Sequence, residues 1–307
     1  MTTPRVFIIR HGETTWSLSG RHTGATDIPL TPSGEQRIRA TGRALVGPDR
    51  LIVPRNLAHV YVSPRRRAQR TLELLNLRLP LPWVDEDGEG EDIKGQQQHD
   101  CGARVEVSES VREWEYGDYE GITSKEIGEQ RRENGEEEWD IWRDGCPGGE
   151  YVHLVFLISW FSLLSSMSKV ARSESVRKPR TEYAKTTPQL TDTLFSRSPA
   201  DITARCDAVI ADIRQRFHQH AIGKPKGSVD KPFDVLIVAH GHFLRAFAGR
   251  WIGKNIADNP SLILEAGGVG TLSYEHHKLN EPAILLGGAF MSYVVEEAVG
   301  DAEGRKK

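Results

Sequence analysis

Val6-Phe7-Ile8-Ile9-Arg10-His11-Gly12-Glu13 and Val235-Leu236-Ile237-Val238-Ala239-His240-Gly241-His242 share one design: a short apolar, β-branched run that ends in a histidine followed by glycine. Runs of this kind, bounded by turn residues, read as strands buried on both faces in a parallel sheet. In open α/β sheets the reactive groups gather at the carboxyl ends of such strands. Two strands that each deliver a histidine at that edge can bring His11 and His240 together across a long stretch of chain. Arg10 adds a cation, and Gly12 and Gly241 let the backbone come close to an anion. The combination points to phosphoryl chemistry.

Reading outward, the rest of the chain supplies the alternation of helix and strand that such a sheet needs. Thr31-Pro32 is a hydroxyl cap and a proline at the first helical position, and Glu35 follows in the first turn of a helix ending near Val46. His59-Val60-Tyr61-Val62 reads as a second strand. It runs into Ser63-Pro64-Arg65-Arg66-Arg67-Ala68 and a helix with Thr71, Leu72 and Leu75 inward. Val105 to Val111 is strand-like. Ser124 to Glu133 is a charged helix. Trp139 and Trp142 flank a loop over Asp144 to Glu150. Ser198-Pro199 opens a helix whose apolar face is Ile202, Cys206, Val209, Ile210, Ile213 and Phe217. A helix over His242 to Trp251 and a hairpin over Gly270–Tyr274 and Ala283–Leu286 close the domain. The expected fold is an α/β/α sandwich of three layers with a mostly parallel central sheet, one domain over residues 1–307.

Two segments depart from this pattern. Residues 85–104 are acidic and rich in glycine and glutamine, and are expected to be a disordered loop. Residues 151–197 begin with an apolar run, Tyr151 to Leu164, then turn into Ser-, Lys- and Arg-rich sequence without periodicity. The run falls short of the roughly 20 residues that span a bilayer, and a buried helix is the ordinary reading. The preferred reading is a non-native insertion of retained-intron type. Glu150-Tyr151-Val152 can be encoded with a splice-donor-like GTATGT, and Ser196-Arg197 with an acceptor-like CAG. Removal keeps the frame and joins Glu150 to the capped helix at Ser198.

Composition excludes several classes. A net charge of −3 on 307 residues, 27% of them charged, has no basic bias of the kind that nucleic-acid binding requires. Cys101, Cys146 and Cys206 are odd in number, without metal-ligand spacing, and read as reduced thiols of a cytoplasmic protein. The start of the chain runs almost directly into a strand, unlike a signal peptide. The tail from Gly300 is expected to fray. No membrane or nucleic-acid partner is expected; a homo-oligomer is left open.

Each motif has a plain reading beside the chemical one. Arg10-His11-Gly12 could be a core histidine at a strand end. As chemistry, a neutral imidazole is a phosphoryl acceptor and Arg10 a planar donor to phosphate oxygens. The arginines after Ser63 could be a solvated face; helical geometry lets only some of the four reach a pocket. Glu113 and Glu115 could lie in a surface turn. Trp114, Tyr116 and Tyr119 around them favour a shielded acid able to protonate a leaving alkoxide. His240 and His242 lack a third ligand at recognisable spacing, so no metal or other cofactor is expected. Gly267 to Gly270 could be an anion nest, but a plain turn into a strand is preferred.

Together these residues resemble the histidine phosphatase superfamily, also called phosphoglycerate-mutase-like. The likeness runs through Arg10-His11-Gly12-Glu13, Ser63-Pro64, Arg67-Ala68, Thr71, Glu113 and Ala239-His240-Gly241. It implies His11 as phosphorylated nucleophile, Arg10, Arg67 and His240 as phosphate pocket, and Glu113 as proton donor. Ser17 stands where many members carry asparagine after Trp16. Arg112 to Gly121, Trp142 to Cys146, His240 to Arg245 and Ala266 to Tyr274 are similar to the fungal sedoheptulose-1,7-bisphosphatases. That likeness implies a sugar-bisphosphate substrate, cleaved to sedoheptulose 7-phosphate and phosphate in carbon flow toward ribose. It also implies substrate contacts at Ser17, Thr23, Gly24, Glu113, Trp114, Glu115, Tyr116, Gly241 and His242, with Arg245 at the distal phosphate. The alternatives are a mutase-type phosphoryl transfer, a phosphatase acting on another substrate such as fructose 1,6-bisphosphate or a monophosphate, and a sugar-phosphate-binding protein made inert by residues 151–197.

Overall fold

The structure is a computed structural model and describes residues 1–83, 101–148, 198–258 and 261–290. The segment 151–197, the tail from residue 300 and most of 85–104 lie outside the described residues. Six strands form one sheet: β1 (Val6–Arg10), β2 (Leu57–Val62), β3 (Arg104–Val107), β4 (Asp234–Ala239), β5 (Val269–Tyr274) and β6 (Pro282–Phe290), in the order β3-β2-β4-β1-β5-β6. β1, β2, β3 and β4 run parallel. β5 lies antiparallel to β1 and β6 antiparallel to β5. The sheet is therefore mostly parallel, with the closing hairpin as its far edge.

Strand alternation sorts the apolar side chains into two cores. Phe7, Ile9, Val60, Val62, Leu236 and Val238 face one side, with Ile38 and Leu45 of α2 (Pro32–Leu45) and Ala68 and Leu72 of α3 (Arg66–Leu74). Val6, Ile8, Tyr61, Val235 and Ile237 face the other, with Ile202, Cys206 and Ile213 of α6 (Ser198–Ile213) and Phe243 and Phe247 of α7 (Gly241–Trp251). Three layers result, as expected. Burying an apolar side chain of this size contributes about 1.5–3 kcal/mol, so these two faces are the main source of stability. Asp234, buried at the start of β4, accepts from the Arg5 backbone N–H at 2.9 Å and from Arg5 Nη2 at 2.6 Å.

Local signals mark most boundaries. Thr31 accepts from the Gly34 N–H and Pro32 sits in the first turn of α2, as its sequence predicts. Thr123 and Glu126 form a reciprocal cap on α4 (Ser124–Glu133). The strand expected over Val105 to Val111 stops at Val107, because Ser108 donates to the Val62 carbonyl and the chain then tightens into a 3₁₀ turn, Glu109–Val111. The loop expected to run through residue 104 ends earlier. Cys101 and Ala103 are buried, Cys101 Sγ donates to the Pro54 carbonyl, and Arg104 already pairs with β2 opposite His59. Two short helices went unforeseen: α1 (Thr15–Ser19) and α5 (Ile141–Asp144). Among the described residues no helix is long and apolar enough to cross a membrane.

Candidate active site

Register decides where the two histidines go. Arg10 pairs with Ala239 across β1 and β4, so the next residues, His11 and His240, leave the same edge side by side. The His11 N–H donates to the Ala239 carbonyl, and the two imidazole centroids lie 5.1 Å apart. β2 ends beside them: the Ser63 N–H donates to Val238 O, and Ser63 Oγ lies 2.7 Å from His240 Nε2.

His11 is oriented by its own neighbour. Its Nδ1 is 2.8 Å from the Gly12 carbonyl, which can only accept, so Nδ1 carries the proton and Nε2 the lone pair. The Gly12 N–H in turn donates to Thr71 Oγ1 at 3.0 Å, and that hydroxyl donates to the Arg67 carbonyl at 2.7 Å. Helix α3 thus braces the peptide that orients the ring. Burial, then the charges of Arg67 and Arg10, hold the His11 pKa well below the usual histidine value. The ring is neutral and nucleophilic at pH 7. His240 is buried and held neutral in the same way, by burial first and then by Arg67. When Ser63 donates to its Nε2, its proton sits on Nδ1, which is buried with no partner among the described residues.

Two arginines surround the pair. Arg10 Nη1 donates to the Leu264 carbonyl at 3.0 Å. The Arg67 side chain is fully buried. Its Nη1 donates to Thr26 O at 2.8 Å, and its Nη2 to Thr23 O at 3.0 Å and Gly24 O at 3.2 Å. Both arginines keep a buried Nε without a hydrogen-bond partner among the described residues. Two other arginines of the cluster have separate duties. Arg66 donates its N–H to Asp27, and Arg70 forms a fork with Glu35 at 2.6 and 2.9 Å and reaches Glu73.

Glu113 stands at the start of α7. Its Oε1 accepts from the N–H groups of Trp114 and Phe243, both at 2.9 Å, and its Oε2 accepts from the His242 N–H at 3.1 Å. An anion at a helix N-terminus is favoured by the exposed N–H groups and the helix dipole. Burial nevertheless dominates and raises the Glu113 pKa, against the pull of those three donors and of Arg67. Oε2, with one backbone partner, is the oxygen with a lone pair left for a proton.

The expected substrate contacts differ in what they do in the folded chain. Tyr116, His242 and Arg245 form a patch beside this centre: Tyr116 Oη lies 2.7 Å from His242 Nδ1, its ring 4.7 Å from that of His22, and the Arg245 guanidinium 4.8 Å over the Trp142 ring. Gly241 opens α7, and a Cβ there would touch Arg10 Cζ at 3.3 Å. Glu115 is half-buried. Thr23 and Gly24 serve through backbone rather than side chain, as carbonyl acceptors for Arg67. Ser17 and Trp114 are engaged within the protein itself. Ser17 Oγ accepts from the Thr14 N–H and donates to the Thr14 carbonyl, so the cap of α1 consumes it. The Trp114 ring is fully buried, edge-on to Trp142 at 5.5 Å, and only its backbone reaches the site. Gly267, at φ +76°, donates its N–H to the carbonyls of Arg10 and His11, which fits the plain turn rather than an anion nest.

Sequence reasoning left Ser63 without a partner and gave Thr71 only an inward direction. Glu120 and the Leu264 carbonyl were passed over. Ser63 follows a strand at the same edge as His11, which was a usable signal. The Leu264 carbonyl carries no residue-type signal at all.

A neutral, oriented imidazole ringed by arginines, with a shielded carboxyl beside it, is the equipment of a phosphatase that works through histidine. The chain belongs to the histidine phosphatase superfamily (branch 1), whose family model matches residues 6–91, 91–155 and 166–283, and it is a phosphoric monoester hydrolase by class. Among curated relatives, sedoheptulose 1,7-bisphosphatase of Saccharomyces cerevisiae is 32% identical, the match covering 96% of this chain and 97% of the relative. An acid phosphatase of Mycobacterium tuberculosis is 26% identical over 89% of this chain and 87% of its own. The product of a Mycobacterium tuberculosis open reading frame has the same fold, with a TM-score of 0.56 at 24% identity, over 92% of this chain and 96% of that one. Mycobacterial glucosyl-3-phosphoglycerate phosphatase likewise gives 0.53 at 19% identity, over 92% and 97%.

Proposed function

We propose that this chain removes one phosphate from a sugar bisphosphate through a phosphohistidine at His11, with sedoheptulose 1,7-bisphosphate as substrate and sedoheptulose 7-phosphate as product. The observation that carries the reading is His11 itself: its Nδ1 is tied to Gly12 O, its charge is suppressed by burial and two arginines, and its Nε2 is left to attack. Nε2 forms a bond to phosphorus in line with the breaking P–O bond. Arg10, Arg67 and His240 hold the three peripheral oxygens as their charge spreads. Glu113 gives its proton to the departing sugar oxygen. Water then attacks the phosphohistidine, Glu113 takes a proton from it, and phosphate leaves with His11 restored.

The substrate rests on two supports. The yeast relative that aligns along nearly the whole chain bears that name. Arg245, one turn into α7, also offers a second cation beyond the reacting centre for a distal phosphate. Relatives named as phosphoglycerate mutases match 45–47% of this chain, against 96% for the yeast bisphosphatase, so hydrolysis is the better-supported reading.

The test is phosphate release from sedoheptulose 1,7-bisphosphate, fructose 1,6-bisphosphate and a sugar monophosphate, for chains with and without residues 151–197. Acid-labile phosphate on the His11 peptide is sought by quenching during turnover. Preference for the seven-carbon bisphosphate with an adduct on His11 is expected, and His11→Ala should remove both. Phosphate transfer back to the sugar would favour a mutase. Binding without release by the full chain, restored when 151–197 is removed, would favour the inert-insertion reading. Full activity in His11→Ala would refute the mechanism.

A further inference from the structure

Arg67 has an acidic neighbour, Asp27, at 3.7 Å, but its closest partners are uncharged. Its guanidinium is fixed by three backbone carbonyls, those of Thr23, Gly24 and Thr26, at 2.8–3.2 Å. That stretch of chain lies outside any helix or strand, so its shape needs another source. The source is on its opposite side. Glu120 Oε1 and Oε2 accept from the Gly24 N–H at 3.0 and 2.9 Å, and Oε1 accepts from the Thr26 N–H at 2.9 Å. The peptides of one short stretch thus lie between an anion and a cation, with their N–H groups toward the first and their carbonyls toward the second. Hydrogen-bonded chains of this kind polarise one another and strengthen.

We propose that Glu120 is a positioning residue for the phosphate-binding Arg67, acting through the backbone of residues 23–26 and touching neither substrate nor Arg67. Glu120 is set for the task by its neighbours: its own N–H donates to Gly117 O in the 3₁₀ turn Gly117–Tyr119, and the Gly121 N–H donates to His22 O. Gly24 is the fitted piece between the partners. A Cβ there would fall closer than 3.0 Å to the Trp114 carbonyl oxygen and 3.1 Å from Glu120 Oε2. Asp27, 3.7 Å from Arg67 Nη1 and partly exposed, is the rival holder of the guanidinium.

The inference rests on the reading of Arg67 as a phosphate ligand, and the experiment separates the two. Turnover of a sugar bisphosphate, inhibition by orthovanadate and the melting temperature are measured for Glu120→Gln, Glu120→Asp and Asp27→Asn, each with Arg67 intact and with Arg67→Ala. With Arg67 intact, Glu120→Gln is expected to lower kcat/KM by about ten- to hundredfold and to weaken vanadate by a similar factor, the size of effect that a misplaced group produces. Glu120→Asp recovers part of the loss. With Arg67→Ala, Glu120→Gln costs no more than about twofold further, the sign of coupled sites. Equal losses in both backgrounds, a fall in melting temperature with kcat/KM and vanadate unchanged, or a larger loss from Asp27→Asn would each overturn the proposal. If Glu120→Gln does not fold, Glu120→Asp is read in the same two backgrounds; failure of both to fold would make Glu120 a residue the fold requires and overturn its narrower role. If the unsubstituted protein neither binds vanadate nor releases phosphate, it is the phosphate-pocket reading that falls.

Discussion

Replacing Gly24 by alanine adds one methyl carbon at the most crowded point beside the phosphate pocket. The backbone there needs no left-handed conformation, so the cost is one of space. The added carbon would meet the Trp114 carbonyl oxygen at under 3.0 Å, with Glu120 Oε2 and Tyr116 Cδ2 both at 3.1 Å. The carbonyl belongs to a backbone whose side chain is locked in the core, so the 23–26 stretch must yield. Restoring ordinary contact takes a shift of about 1 Å, enough to cost on the order of a hundredfold in rate when it reaches a catalytic group. That stretch carries the carbonyl partners of Arg67, so the shift passes to the guanidinium. Expected are a loss of kcat/KM of that order and a stability loss of about 1–3 kcal/mol, the usual cost of overpacking. Steady-state phosphate release and urea unfolding of the same preparations read the two effects. A Gly24→Ala protein with kcat/KM within about twofold of the parent would refute the reasoning, since a rate effect of about tenfold needs only 1.4 kcal/mol.

The remaining expectations concern protons. Burial raises the Glu113 pKa, so its acid form persists above the ordinary carboxylate range and the first chemical step slows as pH rises through that value; a pH profile of kcat/KM should show this alkaline limb, and Glu113→Gln should erase it while lowering kcat by about 10²–10⁴-fold. His218 is fully buried, with Nδ1 2.7 Å from Tyr274 Oη, and its pKa is lowered to about 3. Its folded value lies below its unfolded value, so its contribution is complete above pH 6.5 and is lost as pH falls toward 3; at pH 5 the loss is about 2 kcal/mol. Urea unfolding of the parent and His218→Asn at pH 7 and pH 5 measures it, and an identical loss in both proteins would count against the assignment.

What could be read from the chain follows the range of the interaction involved. β1 and β4 announce themselves because each is a continuous apolar run, and their register alone sets His11 beside His240. α2 was legible down to its cap, since Thr31, Pro32 and Glu35 act within one turn. α1 was not: it has five residues and no buried one, and its hydrogen-bonding cap drew on Ser17, which resemblance had assigned to substrate. The arginine cluster shows a different limit. Helical spacing limits how many of Arg65, Arg66, Arg67 and Arg70 can reach a pocket, but only the fold shows that Arg70 is spent on Glu35 and Glu73 while Arg67 meets the carbonyls of residues 23–26. Glu120 lies far along the chain from the N–H groups that it accepts from, so no local pattern could have assigned it. The burial of Trp114 was not legible, because an aromatic next to a catalytic acid serves equally as a wall of the core and as a wall of the pocket.

The neighbouring placement of β1 and β4 has a consequence for how this protein is made. His11 is translated long before its partner, which follows a strand beginning at Asp234. Until that strand emerges, the amino-terminal hydrophobic ribbon lacks both of its sheet neighbours, because β4 and β5 are each translated late. Assembly must therefore close a very large loop before any reactive centre exists, which slows folding and lengthens the time that a sticky nascent segment waits for cover. Catalytic competence in this architecture waits for β4, and a product cut short before that strand would carry none of it.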